Sequence, residues 1–232
     1  MVVLQTLTAP GRSQRRAGSY DGAVPLLGPD DALPLAPRRV LVAGPSGSGK
    51  STLSARIGEV LGVRHVEIDG LYHGPDWQPR PTFEEDVRAF TAEPVWVTEW
   101  QYDVVRPLLL ERADLLVWLD LPRYVVMQQV VRRTVRRRLR REVLWNGNQE
   151  PPFRTIFTDP EHIVRWAWTT HHRTPAHMRT ILAERPGFAV VRLRSHREAQ
   201  AWLGGPLTDS RTGEPDAASE DRPSAGHRDP GA

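Results

Sequence analysis

The sequence predicts an α/β fold built on a parallel sheet, and three observations carry that prediction. Short apolar runs recur between residues 38 and 203, amphipathic helical patterns separate them, and the first run leads straight into a glycine-rich turn followed by a helix. The runs are Arg39-VLVAG-Pro45, Arg64-HVEI-Asp69, Pro94-VWVT-Glu99, Asp114-LLVWL-Asp120 and Gly187-FAVVRL-Arg194. Most are continuously apolar, as expected of strands covered on both faces. Helices are predicted over Lys50–Leu61, where Leu53, Ile57 and Leu61 share one face and Gly62 ends the helix, and over Thr82–Ala92, opened by a Thr82/Glu85 capping box. Further helices follow over Asp103–Arg112, Arg123–Trp145, Pro160–His171, Pro175–Glu184 and His196–Leu203.

The 232 residues are 39% hydrophobic and 25% charged, enough for one compact core with appendages. Residues 1–37 and 204–232 are rich in small and polar residues and poor in large apolar ones. Both are expected to be disordered tails flanking a domain over 38–203. The chain has no cysteine, which excludes disulfides, thiolate zinc sites, iron–sulfur ligation and a cysteine nucleophile, and fits a reducing compartment. No apolar run is long enough to span a bilayer and residues 1–20 lack a secretory core, so a soluble cytoplasmic protein is expected, with no membrane partner. The formal net charge is +3, and the 31 basic residues comprise 30 arginines and a single lysine, Lys50.

That lysine completes Gly44-Pro45-Ser46-Gly47-Ser48-Gly49-Lys50-Ser51, which fits G-x-x-x-x-G-K-[ST] between a predicted strand and a predicted helix. A loop of this composition turns backbone N–H groups inward at a helix N-terminus, where unpaired donors and the helix dipole already favour an anion. In such a nest Lys50 reaches the outer phosphates of a nucleotide, Ser51 offers a hydroxyl to Mg²⁺, and Thr52 lies beside the α-phosphate. The bland alternative is a Gly/Ser turn between a strand and a helix. The flanking elements argue for phosphate.

Ligands of open parallel sheets bind beyond the carboxyl ends of the strands, and three acids are expected there. Asp69 ends the second run and precedes Gly70-Leu-Tyr72-His-Gly-Pro-Asp-Trp77, placing a carboxylate beside two aromatic rings where it would take a proton or hydrogen bond from an attacking hydroxyl. A plain Asp-Gly turn is the competing reading. Glu99 ends the third run and is a candidate Mg²⁺ ligand, direct or through water, with Trp100 and Tyr102 following as candidate acceptor contacts. Asp120 is expected to cap the helix that follows it.

Residues 132–141 hold seven arginines in ten positions. On a helical wheel Val131, Val135 and Leu139 form one arc, and six of the arginines fan over the opposite half. The expectation is a helix docked through the valine–leucine seam. Its arginines are then a solvated face, a nucleic-acid contact, or a lid in which Arg133 and Arg137 close on a polyphosphate, with Arg173 a further candidate. Adjacent His171 and His172 point apart on a helix and do not suggest a metal site.

Taken together, VLVAGPSGSGKSTLSARIGEVLG, HVEIDGLYHGPDW, VWVTEWQY and DLLVWLDLPR with its arginine-rich helix resemble the adenylate-kinase-like P-loop proteins, and more narrowly the group called topology modulation proteins. The resemblance covers residues 38–203. It implies a three-layer P-loop NTPase fold with five parallel strands ordered 2-3-1-4-5, ATP and Mg²⁺ at residues 44–52, an acceptor pocket near Asp69, and a helical lid over about 123–158. It departs in one place: the third strand ends in Glu99-Trp100 where the family commonly has Asp-Gly. The expected activity is transfer of the ATP γ-phosphoryl to a nucleotide, nucleoside or similar small acceptor. The alternative is an ATP-dependent regulatory or nucleic-acid-binding protein without kinase activity.

Overall fold

The five apolar runs are the five strands of a single parallel sheet: β1 (Arg39–Ala43), β2 (His65–Val66), β3 (Trp96–Glu99), β4 (Leu115–Leu119) and β5 (Ala189–Leu193). They lie in the order β2-β3-β1-β4-β5, the order implied by the resemblance. The computed structural model describes residues 26–149 and 162–212. Of the expected features, residues 1–25 and 213–232 of the tails, residues 150–158 of the lid and residues 160–161 of a predicted helix lie outside the described residues.

Successive strand side chains point to opposite faces, and here each face has its own apolar layer. Val40 and Val42 of β1 join Leu53, Ile57, Val117, Val191 and Trp202 on one side. Leu41 and Ala43 join Ile68, Phe83, Trp96, Leu109, Leu116 and Met178 on the other. This double coverage is why the runs read as continuously apolar. In register, Val42 sits beside both Glu99 and Val117, so the chain leaving β1 emerges level with the end of β3.

The helices are α1 (Lys50–Leu61), α2 (Ile68–Tyr72), α3 (Phe83–Thr91), α4 (Arg106–Arg112), α5 (Arg123–Leu139), α6 (Ile163–Thr170), α7 (Arg173–Glu184), α8 (His196–Trp202) and α9 (Thr208–Thr212). Short 3₁₀ turns at Pro75–Trp77 and Trp145–Gly147 follow α2 and α5. Helix α1 matches its prediction and stops at Gly62, whose φ of 69° turns the chain into the left-handed region and lets its N–H bond back to the last turn.

Several expectations are corrected. The predicted capping box does not form, because the Thr82 hydroxyl donates to Asp86 Oδ2 at 3.0 Å instead of receiving a backbone N–H. Asp69 does not end a strand. β2 stops at Val66, and Asp69 lies in the first turn of α2. Asp120 caps no helix: α5 starts after Pro122, and the Asp120 carboxylate accepts from the guanidinium of Arg192 on β5, at 2.8 Å from Nε. The predicted helix 123–145 ends at Leu139.

Packed chain also extends past both expected domain boundaries. Leu27 is buried, its N–H donates to Val190 O and its carbonyl accepts from Arg192 N, each at 2.8 Å, so it extends the sheet beyond β5. After α8 a wide turn over Leu203–Leu207 buries Leu203 and Leu207 against the core before α9.

The largest difference concerns α5. The helix docks through Val126, Val130 and Thr134, while Val131, Val135 and Leu139 are 45%, 39% and 74% exposed. Arg133 and Arg137 continue the docked face and are half-buried, whereas Arg132, Arg136 and Arg140 are exposed. A hydropathy wheel assigns arginine to water. Here the aliphatic stems of Arg133 and Arg137 pack inward and their charged ends stay beside the phosphate loop and the turn that follows the helix.

Candidate functional site

The loop between β1 and α1 has the backbone form of an anion nest. Gly47 and Gly49 have φ of 81° and 93°, which only glycine adopts without strain. Gly49 is the N-cap of α1 and contributes no side chain to the cap. Gly47 is also a contact point, because a Cβ there would fall 2.1 Å from Val130 Cγ2 of α5. Gly44 is confined by Ser48 Oγ, 2.5 Å from where its Cβ would stand. Pro45 O accepts from Ser48 N at 3.1 Å and from Lys50 Nζ at 3.2 Å. Ser48 is fully buried and its hydroxyl has no hydrogen-bond partner. Ser46, Ser51 and Thr52 complete the loop and the first turn of α1, with Thr52 exposed.

Lys50 is the electrostatic centre of the site. It is 7% exposed, and burial lowers its pKa to about 8, opposed by the charges of Asp69 and Glu99 and reinforced by those of Arg133 and Arg106. A buried ammonium with one carbonyl bond and two carboxylates nearby is poised for a further anion. Glu99 is also buried. Its Oε1 pairs with His65 Nε2 at 2.8 Å and its Oε2 accepts from Ile68 N at 3.2 Å. Burial works to raise its pKa, but the hydrogen bond and charge of His65 and the Ile68 amide outweigh it and hold the carboxyl below its ordinary value.

Asp69 is close enough for its charge to act on Lys50, and it lies within an aromatic group. Its Oδ1 accepts from Tyr102 OH at 2.6 Å and from Gln101 Nε2 at 2.7 Å. Tyr102 stacks on Tyr72 with centroids 3.9 Å apart. Burial, together with the Asp69 charge and hydrogen bond, pushes the Tyr102 phenol far above its ordinary pKa. Tyr102 has φ of 60°, an uncommon conformation for an aromatic residue that aims its hydroxyl at Asp69 and His73. Trp77 contributes to the wall through His73, at 5.0 Å, and Trp145, at 6.3 Å.

Trp100 differs from expectation. It is 7% exposed and packs with the core on the Leu41 side of the sheet, its indole N–H donating to Arg106 O at 3.3 Å. It serves as a platform: the Arg106 guanidinium lies 4.7 Å from its ring centroid and His177 meets it edge-on. Arg106 was not among the sequence candidates. Burial lowers its pKa, with Asp103 opposing and Arg173 reinforcing, and its Nε is buried without a hydrogen-bond partner. Arg173 stacks on Trp166 at 5.4 Å and its charge reaches Arg106 and His177, so it stands on the Arg106 side of the site. Arg133 is close enough to Lys50 to depress it, and Arg137 lies 6.0 Å from the Trp145 ring.

On the far side of the loop is a cavity of about 230 Å³ bounded by Gly49, Thr52, Arg56, Gln129, His196 and Gln200. Gln129 and His196 are hydrogen-bonded across its mouth at 2.5 Å. Arg56, Gln129, His196 and Gln200 come from α1, α5 and α8, so no local motif announces them. Among the described residues no group of three or more His, Asp or Glu side chains is gathered to hold a metal ion, and no helix is long and apolar enough to cross a membrane.

Fold and cradle together define an α/β protein of the P-loop class, with the sheet order 2-3-1-4-5. No protein-family model matches the chain, and no curated protein matches it in sequence. Among solved structures it is similar to a gluconokinase from Sinorhizobium meliloti 1021, at 18% identity over 77% of this chain and 96% of that one, with a TM-score of 0.45. It is also similar to a sugar kinase from Janibacter sp. HTCC2649, at 16% identity over 78% and 91% with a TM-score of 0.39. A shikimate kinase from Acinetobacter baumannii in complex with shikimate aligns at 16% identity over 64% and 94%, with a TM-score of 0.33. Likenesses this distant say nothing of what the chain binds or does.

Proposed function

We propose that the protein is a P-loop phosphotransferase that moves the γ-phosphoryl of ATP to a small-molecule acceptor. The observation that carries this reading is the setting of Lys50: a buried ammonium that bonds Pro45 O of a glycine-formed anion nest and feels the charge of an aromatic-walled carboxylate, Asp69. A nucleotide-binding switch needs the nest alone. A transferase needs a second, acceptor side, and Asp69, Tyr72, Tyr102, Trp77 and Trp145 supply its wall.

The residues fit a nucleoside triphosphate with Mg²⁺. Residues 44–52 would hold the phosphates through backbone N–H groups, the buried Ser48 hydroxyl has no partner of its own, and the cavity at Gly49, Arg56, Gln129, His196 and Gln200 would take the base and sugar end. Ser51 would offer a hydroxyl to Mg²⁺, which usually keeps several waters and one or two protein ligands. Both oxygens of Glu99 are already engaged, so its part is outer-sphere, through water. When bound, Mg²⁺ would neutralise charge between the outer phosphates.

On this reading the acceptor oxygen bonds to the γ-phosphorus as the bond to the bridging oxygen of ADP breaks, and the acceptor proton passes to the Asp69 Oδ2 side. Gln101 and Tyr102 fix the carboxylate through Oδ1 and leave Oδ2 facing the acceptor. Lys50, Arg133 and Arg137 stabilise the transferring charge. Arg106 and Arg173, two like charges close enough for Arg173 to disfavour the Arg106 cation, with His177 beside them, favour an acceptor that itself bears a carboxylate or phosphate.

The test is ATP turnover with a panel of anionic and neutral hydroxyl compounds, in the wild type and in Asp69→Asn. One acceptor is expected to raise turnover many-fold. The variant is expected to lose on the order of 10²- to 10⁴-fold of that rate while its ATP affinity stays within about threefold. Turnover indifferent to every acceptor, together with nucleic-acid binding that falls steeply with salt and is lost when Arg132, Arg136 and Arg140 become Ala, would replace this reading with that of a nucleic-acid-binding ATPase.

A further inference from the structure

The loop after α2 and the strap after α5 are the same turn made twice. In the loop, Gly74 N donates to Gln78 O at 2.7 Å and Gln78 N to Pro75 O at 3.1 Å. In the strap, Leu144 N donates to Asn148 O at 2.7 Å and Asn148 N to Trp145 O at 3.2 Å. Each has a left-handed residue at its centre, Asp76 at φ 54° and Asn146 at φ 55°, followed by a second, Trp77 at 59° and Gly147 at 83°. Each is closed by an antiparallel bridge, His73 to Pro79 and Val143 to Gln149.

The two turns are also joined to one another. Asn148, 6% exposed, donates through Nδ2 to Gly74 O at 2.8 Å and accepts at Oδ1 from Trp77 N at 3.0 Å. Trp77 Nε1 donates to Gln149 O at 3.3 Å, and Asn146 Nδ2 donates to His73 O. Trp145 is thereby laid nearly parallel to His73, with centroids 5.9 Å apart, and close over α2: a Cβ on Gly70 would fall 3.1 Å from its Cδ1. Gly70 is the neighbour of Asp69. Since the strap follows α5, the same seating places Arg137 beside Trp145.

We propose that the strap, residues 143–149, is one wall of the acceptor site, seated by Asn148 on the loop of residues 73–79. Asn148 is a positioning residue, and Trp145 is the side chain that limits acceptor size. The term acceptor rests on the phosphotransferase reading, whereas the joining of the two turns stands apart from it. Asn148 Nδ2 also donates to Trp145 O of its own turn at 2.9 Å, so one buried amide ties the two turns together and its removal unseats both.

Hydrogen–deuterium exchange on the full chain, comparing wild type with Asn148→Ala, tests the coupling. Exchange is expected to rise tenfold or more at residues 74–78 as well as at 143–148, with the amides of β1 and β4 unchanged. If residues 74–78 keep wild-type protection, the joined wall is overturned. Should Asn148→Ala lose sheet protection as well, Asn148→Asp supplies the second variant: it keeps the oxygen that accepts from Trp77 N and loses the donor to Gly74 O, and the same outcomes apply. With the acceptor found in the panel above, Asn148→Ala is expected to raise the acceptor KM at least tenfold with ATP affinity within about threefold. Trp145→Ala is expected to admit acceptors larger by a ring substituent, and an unchanged size range overturns its role. Coupled exchange without any acceptor-stimulated turnover sinks the phosphotransferase reading and leaves the joined turns. Stimulated turnover with uncoupled exchange does the reverse.

Discussion

Replacing Lys50 by Met is expected to abolish ATP binding and yet make the ligand-free protein more stable at neutral pH. The wild-type ammonium loses its hydration on folding and regains only one carbonyl bond and the more distant attraction of Asp69 and Glu99, so its pKa falls from 10.5 to about 8. The unfolded chain therefore holds this proton more tightly, which disfavours folding by about 3 kcal/mol at pH 7. As pH rises from about 8 to 10.5, the folded state releases the proton first and the unfolded state binds more protons, so wild-type stability rises through that window. Met fills similar volume without charge and lacks this dependence. Urea unfolding at pH 7 and at about pH 9.5 should show the variant ahead by about 3 kcal/mol and then by only about 1 kcal/mol. A variant no more stable than wild type at pH 7, or an advantage equal at both pH values, would refute the electrostatic account of the cradle.

Two further outcomes follow from the same geometry. Gly47→Ala should cost about 2–4 kcal/mol in urea unfolding, because its φ of 81° is left-handed and its Cβ would stand 2.1 Å from Val130 Cγ2, and adding Val130→Ala should return at least about 1 kcal/mol of it. A loss below about 0.5 kcal/mol would mean that α5 does not press on the loop. Tyr102, held far above its ordinary pKa, should contribute nothing to the ultraviolet titration of the folded protein up to about pH 11, so Tyr102→Phe should leave that titration unchanged. A tyrosinate signal lower by one of the chain's four tyrosines would contradict the buried bond to Asp69.

Most of the cradle was legible in the sequence because its geometry is written locally. Glycines at fixed offsets, a lysine and a helix start occupy eight successive residues, and a strand buried on both faces advertises itself as an unbroken apolar run. What could not be read lies between elements. Arg106 is one arginine among 30 until β3 and α4 place it over Trp100. Gln129 and His196 are 67 positions apart and meet only when α5 and α8 flank α1. Helix α5 misleads for a physical reason: a wheel ranks faces by side-chain polarity, but the surface this helix packs on is a phosphate loop and not a purely apolar layer. The face that docks is therefore the one where two valines are continued by Arg133 and Arg137, and the valine–leucine arc is left outside.

The cradle holds the chain's one primary amine on a side chain, and with a pKa near 8 that amine is more often unprotonated at mildly alkaline pH than any ordinary lysine. Small amine-directed acylating reagents thus have one side-chain amine to modify here, and on the phosphotransferase reading it sits where a triphosphate would lie. Mass spectrometry of a single modified peptide then reports occupancy of the pocket directly, without a coupled assay and before any product has been identified.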